Sequence, residues 1–354
     1  MNRRQVSFLE RLMGKMSPSG FEEDAARVWR DEAKKFTKDV YSDTHGNSFA
    51  VINPNGSPKV MLAGHIDEIG LMVTYIDDSG YLYFTGIGGW DTQVLPGQRV
   101  NIKTGTGLVS GVIGRRPIHL LSVEERKKVV EFSDLWIDIG AKNKEDASTI
   151  VSIGDPAVIQ YGMESLMNNM LVGRGFDDRI GAYVVLEALR LLSEMGADMA
   201  VYAVATAQEE IGTRGAKTSV YGINPDIGIA VDVGFATDTP GALVDKKKVG
   251  DIKMGEGPVI VRGANINPVL FEMFTKTAES ERIPFQVEAC PGVTGTDARD
   301  IQATRQGVPT ALIGIPNRYM HSPCELIHLH DVDHASKLIA HTVLMSKDTD
   351  FRIS

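Results

Sequence analysis

MAVYAVATAQEEIGTRGAK, residues 199–217, decides the fold. Residues 199–207 carry almost no polar atom and are rich in Ala and Val. Such a run reads as a strand buried on both faces of a parallel sheet. It ends abruptly in two adjacent carboxylates, Glu209 and Glu210. In open α/β sheets, chemistry gathers just beyond the carboxyl ends of the strands. A solvated Glu-Glu pair opening the next helix is the bland alternative, and the rest of the chain decides between the two.

Working outward, the same strand-then-loop texture recurs on both sides. KVMLA, residues 59–63, is a buried strand that runs straight into His65. Residues 178–195 form a helix, with Ile180, Val184, Leu186, Leu189 and Leu192 at helical spacing. Further strands read at 227–231, 285–289 and 310–315, and helices at 267–281, 297–305 and 331–346. The N-terminal part gives helices at 2–14 and 21–36, the second with acids early and lysines late. Paired strands read over 38–52 around a turn at Asp43, Gly46 and Asn47.

Between residues 71 and 160 the pattern changes to short alternating strands separated by Gly- and Asp-rich turns. One charged piece, 123–130, reads as a helical turn or two. This is an all-β module inserted into an α/β chain, because sheet strands precede it and follow it. The fold class expected is therefore α/β: a mixed, mostly parallel sheet flanked by helices, with an inserted all-β domain.

Composition narrows the function. At 354 residues the chain exceeds the size of a single growing core, so two domains are expected. A net charge of -9 argues against nucleic acid and anionic membranes as partners. Two cysteines, Cys290 and Cys324, are too few for a disulfide framework and suit a reducing cytoplasm. Residues 1–20 lack a continuous apolar stretch, so no signal peptide is expected there, and no run of about 18 apolar residues suits a membrane span.

Metal-type side chains recur at equivalent places. His65 follows one strand, Glu209 and Glu210 a second, Asp232 a third and His321 a fourth, while Asp177 and Asp178 open a helix. Singly, each has an ordinary role as a cap, a turn residue or a hydrogen-bonded loop histidine. Jointly, two histidines and several carboxylates at one sheet edge suit a pair of borderline divalent ions, Zn foremost. The other histidines, and Cys324, lack such placement, and no Ser or Cys occupies a strand-to-helix elbow. Two ions about 3.5–4 Å apart share and acidify a water while polarising a carbonyl, and a free carboxylate serves as general base.

The ordered motifs SPSGFE, AGHIDEIGLMV, GRGFDDRIGAYV, QEEIGTRGA, VDVGFATDTPG and MHSPCE resemble the M42 family of metallo-aminopeptidases across essentially the whole chain. The resemblance implies that His65, Asp177, Glu210, Asp232 and His321 hold two divalent metal ions per subunit, Zn or Co, with Asp177 bridging. It implies Glu209 as general base acting on a metal-bridging water, and Asp67 orienting the His65 imidazole from behind. Motif alignment favours Asp177 over Asp178 as the bridge, and related sites carry a cis peptide between these two. The resemblance implies a catalytic domain over 1–66 and 164–354, and an oligomerisation domain over 67–163. It further implies a cytoplasmic homo-oligomer, a dodecamer built from dimers, acting on N-terminal residues of short peptides. CPGVTGTD, residues 290–297, resembles a segment near the substrate, which makes Thr296 and Asp297 candidates for contact.

Two alternatives come from other classes. Some relatives carry an endoglucanase label, but glycosidases need two carboxyls about 5–9.5 Å apart across the bond, which sequence neighbours serve poorly. A non-catalytic peptide-binding scaffold would tolerate loss of a ligand or of Glu209, and every such position is filled.

Overall fold

The computed structural model describes residues 3–353. Among them, an eight-stranded sheet runs in the order Asp39–Ser42, Ser48–Ile52, Ala200–Thr206, Lys59–His65, Ile227–Phe235, Thr310–Asn317, Val259–Gly263, Gln286–Cys290. The four central strands, Ala200–Thr206 to Thr310–Asn317, are mutually parallel. They are the Ala- and Val-rich runs of the sequence, and nearly every residue in them is buried, as a sheet covered on both faces requires. Antiparallel strands flank them: Ser48–Ile52 at one side and Val259–Gly263 at the other.

Helices cover both faces. Phe176–Glu194, Leu329–Met345, Arg3–Met13 and Glu23–Ala33 build the larger core with Trp29, Phe176, Tyr183 and Leu62, all buried. Arg214–Ile223 and Ala298–Gln302 close the opposite face over Met61, Ala216, Ile301 and Leu312. The helix Phe176–Glu194 lies unusually close to the sheet. A Cβ on Gly64 would overlap the backbone of Gly181, so glycine at position 64 lets this helix start directly against the end of the His65 strand.

Between the sheet strands Lys59–His65 and Ala200–Thr206, six strands close into a barrel in the order Gly70–Ile76, Leu82–Ile87, Leu135–Asp138, Gly107–Arg115, Arg99–Thr104, Pro156–Ile159. Closure leaves no free edge. Its interior is a separate core of Leu71, Phe84, Val100, Ile102, Leu135 and Ile137. In Arg99–Thr104 every second residue is buried, the alternation expected of a strand with one face inward.

The sheet class, its parallel centre and the separate β module match the sequence reading, with differences at the margins. The strand at 227–231 extends to Phe235, where its outer residues line a cleft. The helix expected over 297–305 is confined to Ala298–Gln302, and 123–130 holds only a single tight turn, Glu125–Lys127. The helix expected from residue 2 is described from Arg3, residue 2 lying outside the described residues. Val259–Gly263 and a small antiparallel sheet, Glu164–Ser165, Met170–Gly173 and Glu325–His328, were not anticipated. Both are short, so their identity depends on partners distant in sequence rather than on any local period.

Candidate metal centre

Strand register brings the residues together. Thr206 pairs with His65 and Ala230 with Ala63, so Asp232, two residues on, stands level with His65. The ends of three neighbouring strands thus deliver His65, the Glu209–Glu210 turn and Asp232 to one edge. His321 follows the fourth strand, and Asp177 enters at the start of the long helix.

The distances are short. His65 Nε2 lies 3.1 Å from Asp177 Oδ1 and 4.0 Å from Asp232 Oδ1. His321 Nε2 lies 3.2 Å from Asp177 Oδ2 and 3.4 Å from Glu210 Oε1. The two imidazoles therefore face opposite oxygens of one carboxylate. Glu209 Oε2 stands 3.9 Å from His65 Nε2. Asp178 is also within ligand range of His65 and Asp232. Its Oδ2, however, accepts the His65 N–H at 3.1 Å and its Oδ1 the Gly181 N–H at 3.0 Å. Those bonds tie it to the strand–helix junction. The Asp177–Asp178 peptide is cis.

The turn after Ala200–Thr206 is held by its backbone. Four consecutive N–H groups each meet a side-chain acceptor: Ala207 on Asn47 at 2.9 Å, Gln208 on Glu22 at 3.2 Å, Glu209 and Glu210 on Asp67 at 3.0 and 3.1 Å. Gln208 has φ of 60°, a left-handed conformation that costs a non-glycine residue about 1–2 kcal/mol. These bonds offset that cost and aim Glu209 and Glu210 apart. Asp67 is fully buried, also accepts from Ser19 Oγ at 2.6 Å, and approaches His65 Nδ1 at 3.4 Å.

A second clamp comes from Glu325, 1% exposed. Its Oε2 accepts the Asp177 N–H at 2.9 Å and its Oε1 the His321 N–H at 3.1 Å. Neither Glu325, within MHSPCE, nor Asn47, read as a turn residue, has a site role in the sequence reading. Their signal was only proximity in sequence to other polar positions. The Gly88–Gly89 turn of the barrel completes the site: Gly89 O lies 2.7 Å from His321 Nδ1. A Cβ on Gly88 would meet Ile69 Cγ2 at 2.7 Å and Glu210 at 3.4 Å.

Electrostatics shows what the site is suited to hold. Both histidine Nδ1 atoms face carbonyl oxygens, Asp67 O at 3.1 Å and Gly89 O at 2.7 Å. A carbonyl only accepts, so each Nδ1 carries a proton, while each Nε2 hydrogen-bonds to carboxylate oxygens and, once deprotonated, would present its lone pair to a cation. Glu210 Oε1 is buried with no hydrogen-bond partner. Burial pushes Glu209 up to about 10, helped by Asp232, Asp297 and Glu210 and opposed by His65. Burial likewise raises Asp232 and Glu210. Hydrogen bonds from His321 and His65 override burial at Asp177 and hold it well below the usual carboxylate range. No lysine or arginine among the described residues ion-pairs with these acids. Crowded carboxylates with two imidazoles whose Nε2 atoms face them form a donor set fit for divalent cations.

A cleft of about 510 Å³ opens over this cluster, lined by Asp177, Glu209, Glu210, Asp232 and His321 among others. Thr296 lines it, whereas Asp297 is buried beneath, accepting from Thr206 Oγ1 at 2.5 Å. Cys324 is exposed and its thiol takes no part.

Comparison with known proteins bears on this geometry. The sequence profile of the family described as M42 glutamyl aminopeptidase matches residues 46–338. The lysyl aminopeptidase of Pyrococcus furiosus is 37% identical over 346 residues, 97% of this chain and 98% of its own. Among solved structures, a TET aminopeptidase from a marine-sediment Thaumarchaeota archaeon superposes with a TM-score of 0.91 at 36% identity, covering 99% of this chain and 98% of that one. The Pyrococcus horikoshii TET1 peptidase, described as assembling into a tetrahedron or a large octahedral shell, gives 0.84 at 34% identity, covering 95% and 98%.

Proposed function

This chain belongs to the M42 family of peptidases, and from that premise we propose that it is a two-metal aminopeptidase that removes N-terminal residues from short peptides with Glu209 as general base. The family is metal-dependent, and hydrolysis of peptide bonds is its chemistry. The observation that carries the finer reading is the placement of two imidazole Nε2 atoms against opposite oxygens of Asp177.

In this reading His65, Asp177 and Asp232 hold one cation, and His321, Glu210 and Asp177 the other. Asp177 is the shared ligand because both oxygens of Asp178 already receive backbone N–H groups. Divalent cations there would polarise the scissile carbonyl, lower the pKa of an attacking water and favour the ionised form of Glu209. Glu209 takes the proton from that water and returns it to the departing amine, the two-step role of a positioned carboxylate. Asp67 fixes Glu209 through its backbone N–H, and Glu325 fixes Asp177 and His321 in the same manner. A glycosidase arrangement is not favoured, since the adjacent glutamates serve one cluster from one turn.

Residues 1–66 and 164–354 are the catalytic unit in this proposal, and 67–163 a module through which copies associate. The shell-forming P. horikoshii relative supports a large homo-oligomer, a dodecamer built from dimers, with access restricted to short peptides. No helix among the described residues is long and apolar enough to cross a membrane, and the cysteine pair suits the cytoplasm. Exhaustive chelation should abolish Leu-p-nitroanilide cleavage, and Zn or Co should restore it. Full activity without metal, or cellulose hydrolysis in place of peptide hydrolysis, would overturn the reading.

A further inference from the structure

The cleft over the carboxylate cluster is also walled by Val233, Val261, Leu312 and Met320, an apolar channel beside the polar Thr294 and Thr296. Outside the cluster itself, two charged groups line the cleft, Glu288 and Arg299. Glu288, on the edge strand Gln286–Cys290 beside Val261, lines the cleft with its Oε2 3.7 Å from where a Gly234 Cβ would lie. Gly234 follows Asp232 by two residues on the same strand, about 6.6 Å further from the cluster. A side chain at position 234 would crowd the carboxylate, and glycine leaves that approach open.

Glu288 differs from the other acids of the cleft. It is half-buried, and no side chain or backbone group among the described residues hydrogen-bonds or ion-pairs with it. Burial raises it, and no counter-charge lowers it. A carboxylate kept in an apolar channel without a partner costs free energy that a cationic ligand would offset. Lysine and arginine suit such a channel: their methylene stems lie along apolar walls while the charged head reaches an anion. The cation that competes for influence is Arg299, at the rim. Its side chain is 47% exposed and stands 3.8 Å from Asp300, which leaves it screened and partly answered.

Resting on the aminopeptidase reading above, we propose that this channel receives the side chain of the substrate's N-terminal residue and that Glu288 selects lysine and arginine there. The α-ammonium, one carbon from the scissile carbonyl, stays with the carboxylate cluster. Glu288 acts one side-chain length away.

The test uses metal-loaded enzyme and the p-nitroanilides of Lys, Arg, Leu and Glu. Wild type should cleave the Lys and Arg substrates with kcat/KM above that for Leu and far above that for Glu. Glu288→Gln should lower kcat/KM for Lys and Arg about 10- to 100-fold, mainly through KM, and leave Leu within about 3-fold. Free L-lysine, as a competitive inhibitor of Leu-p-nitroanilide cleavage, should weaken by the same factor in this variant. Glu288→Lys should shift preference toward Glu. A wild type that prefers Glu or Leu, or a Glu288→Gln variant that loses all substrates equally, overturns the assignment while Leu cleavage leaves the peptidase reading standing. Absence of turnover on every substrate by the wild type takes down both.

Discussion

Replacing Glu325 with glutamine tests whether the ligands are positioned through their backbone. The carboxylate is 1% exposed and accepts two N–H groups, from Asp177 at 2.9 Å and His321 at 3.1 Å. Burial and then the Asp177 charge raise its pKa to about 8, yet two facing donors require both oxygens to accept. The geometry therefore selects the ionised form. Glutamine fills the same volume but keeps one acceptor and turns an NH2 toward the other N–H. Losing a charge-assisted hydrogen bond costs about 1.5–3 kcal/mol, and an unsatisfied buried donor about 1–3 kcal/mol. These overlap, so a total of about 2–4 kcal/mol is expected, divided between fold and metal affinity. Loss of an outer partner of a ligand typically weakens binding about 10- to 100-fold. Titration of the metal-free variant with Zn against a competing chelator, beside thermal melts followed by circular dichroism, reads both parts. Zn affinity within about two-fold of wild type together with an unchanged melt would refute the reasoning.

Three further outcomes follow from the same geometry. Glu209→Gln should keep its metal and fold while turnover falls about 10²–10⁴-fold, whereas Glu210→Gln should lose metal from the His321 side; elemental analysis with Leu-p-nitroanilide kinetics reverses the assignment if the two results are exchanged. Burial raises Glu68, but Arg174 and Arg179 outweigh it and hold the carboxyl below the ordinary glutamate range. A depressed folded pKa contributes stability above the unfolded value of about 4.3 that is lost as pH falls through the folded one. Arg179→Met should thus cost about 3–5 kcal/mol at pH 7 and lose less on acidification than wild type, and equal losses in urea unfolding at neutral and acid pH would contradict this.

Much of the architecture was legible because the central strands are runs of small and aliphatic residues with few polar ones before their ends, and such runs have few other uses. The ends of those runs marked His65, Glu209, Glu210, Asp232 and His321, and parallel register explains their convergence. Motif alignment alone favoured Asp177 over Asp178, and the structure adds a physical reason, since both Asp178 oxygens accept the His65 and Gly181 amides. Glu325 stayed hidden for the same reason: its strand pairs with Met170–Gly173, a contact across some 150 residues that no local pattern announces. Glycine at position 88 is dictated by a contact no local pattern shows, since a Cβ there would meet Ile69 Cγ2 at 2.7 Å.

The central claim is that two cations share Asp177. Anomalous X-ray scattering at the Zn edge from metal-loaded crystals addresses it most directly. Two peaks should flank the Asp177 carboxylate, one beside His65 and Asp232, the other beside His321 and Glu210. A single peak, or two peaks that Asp177 does not bridge, would contradict it.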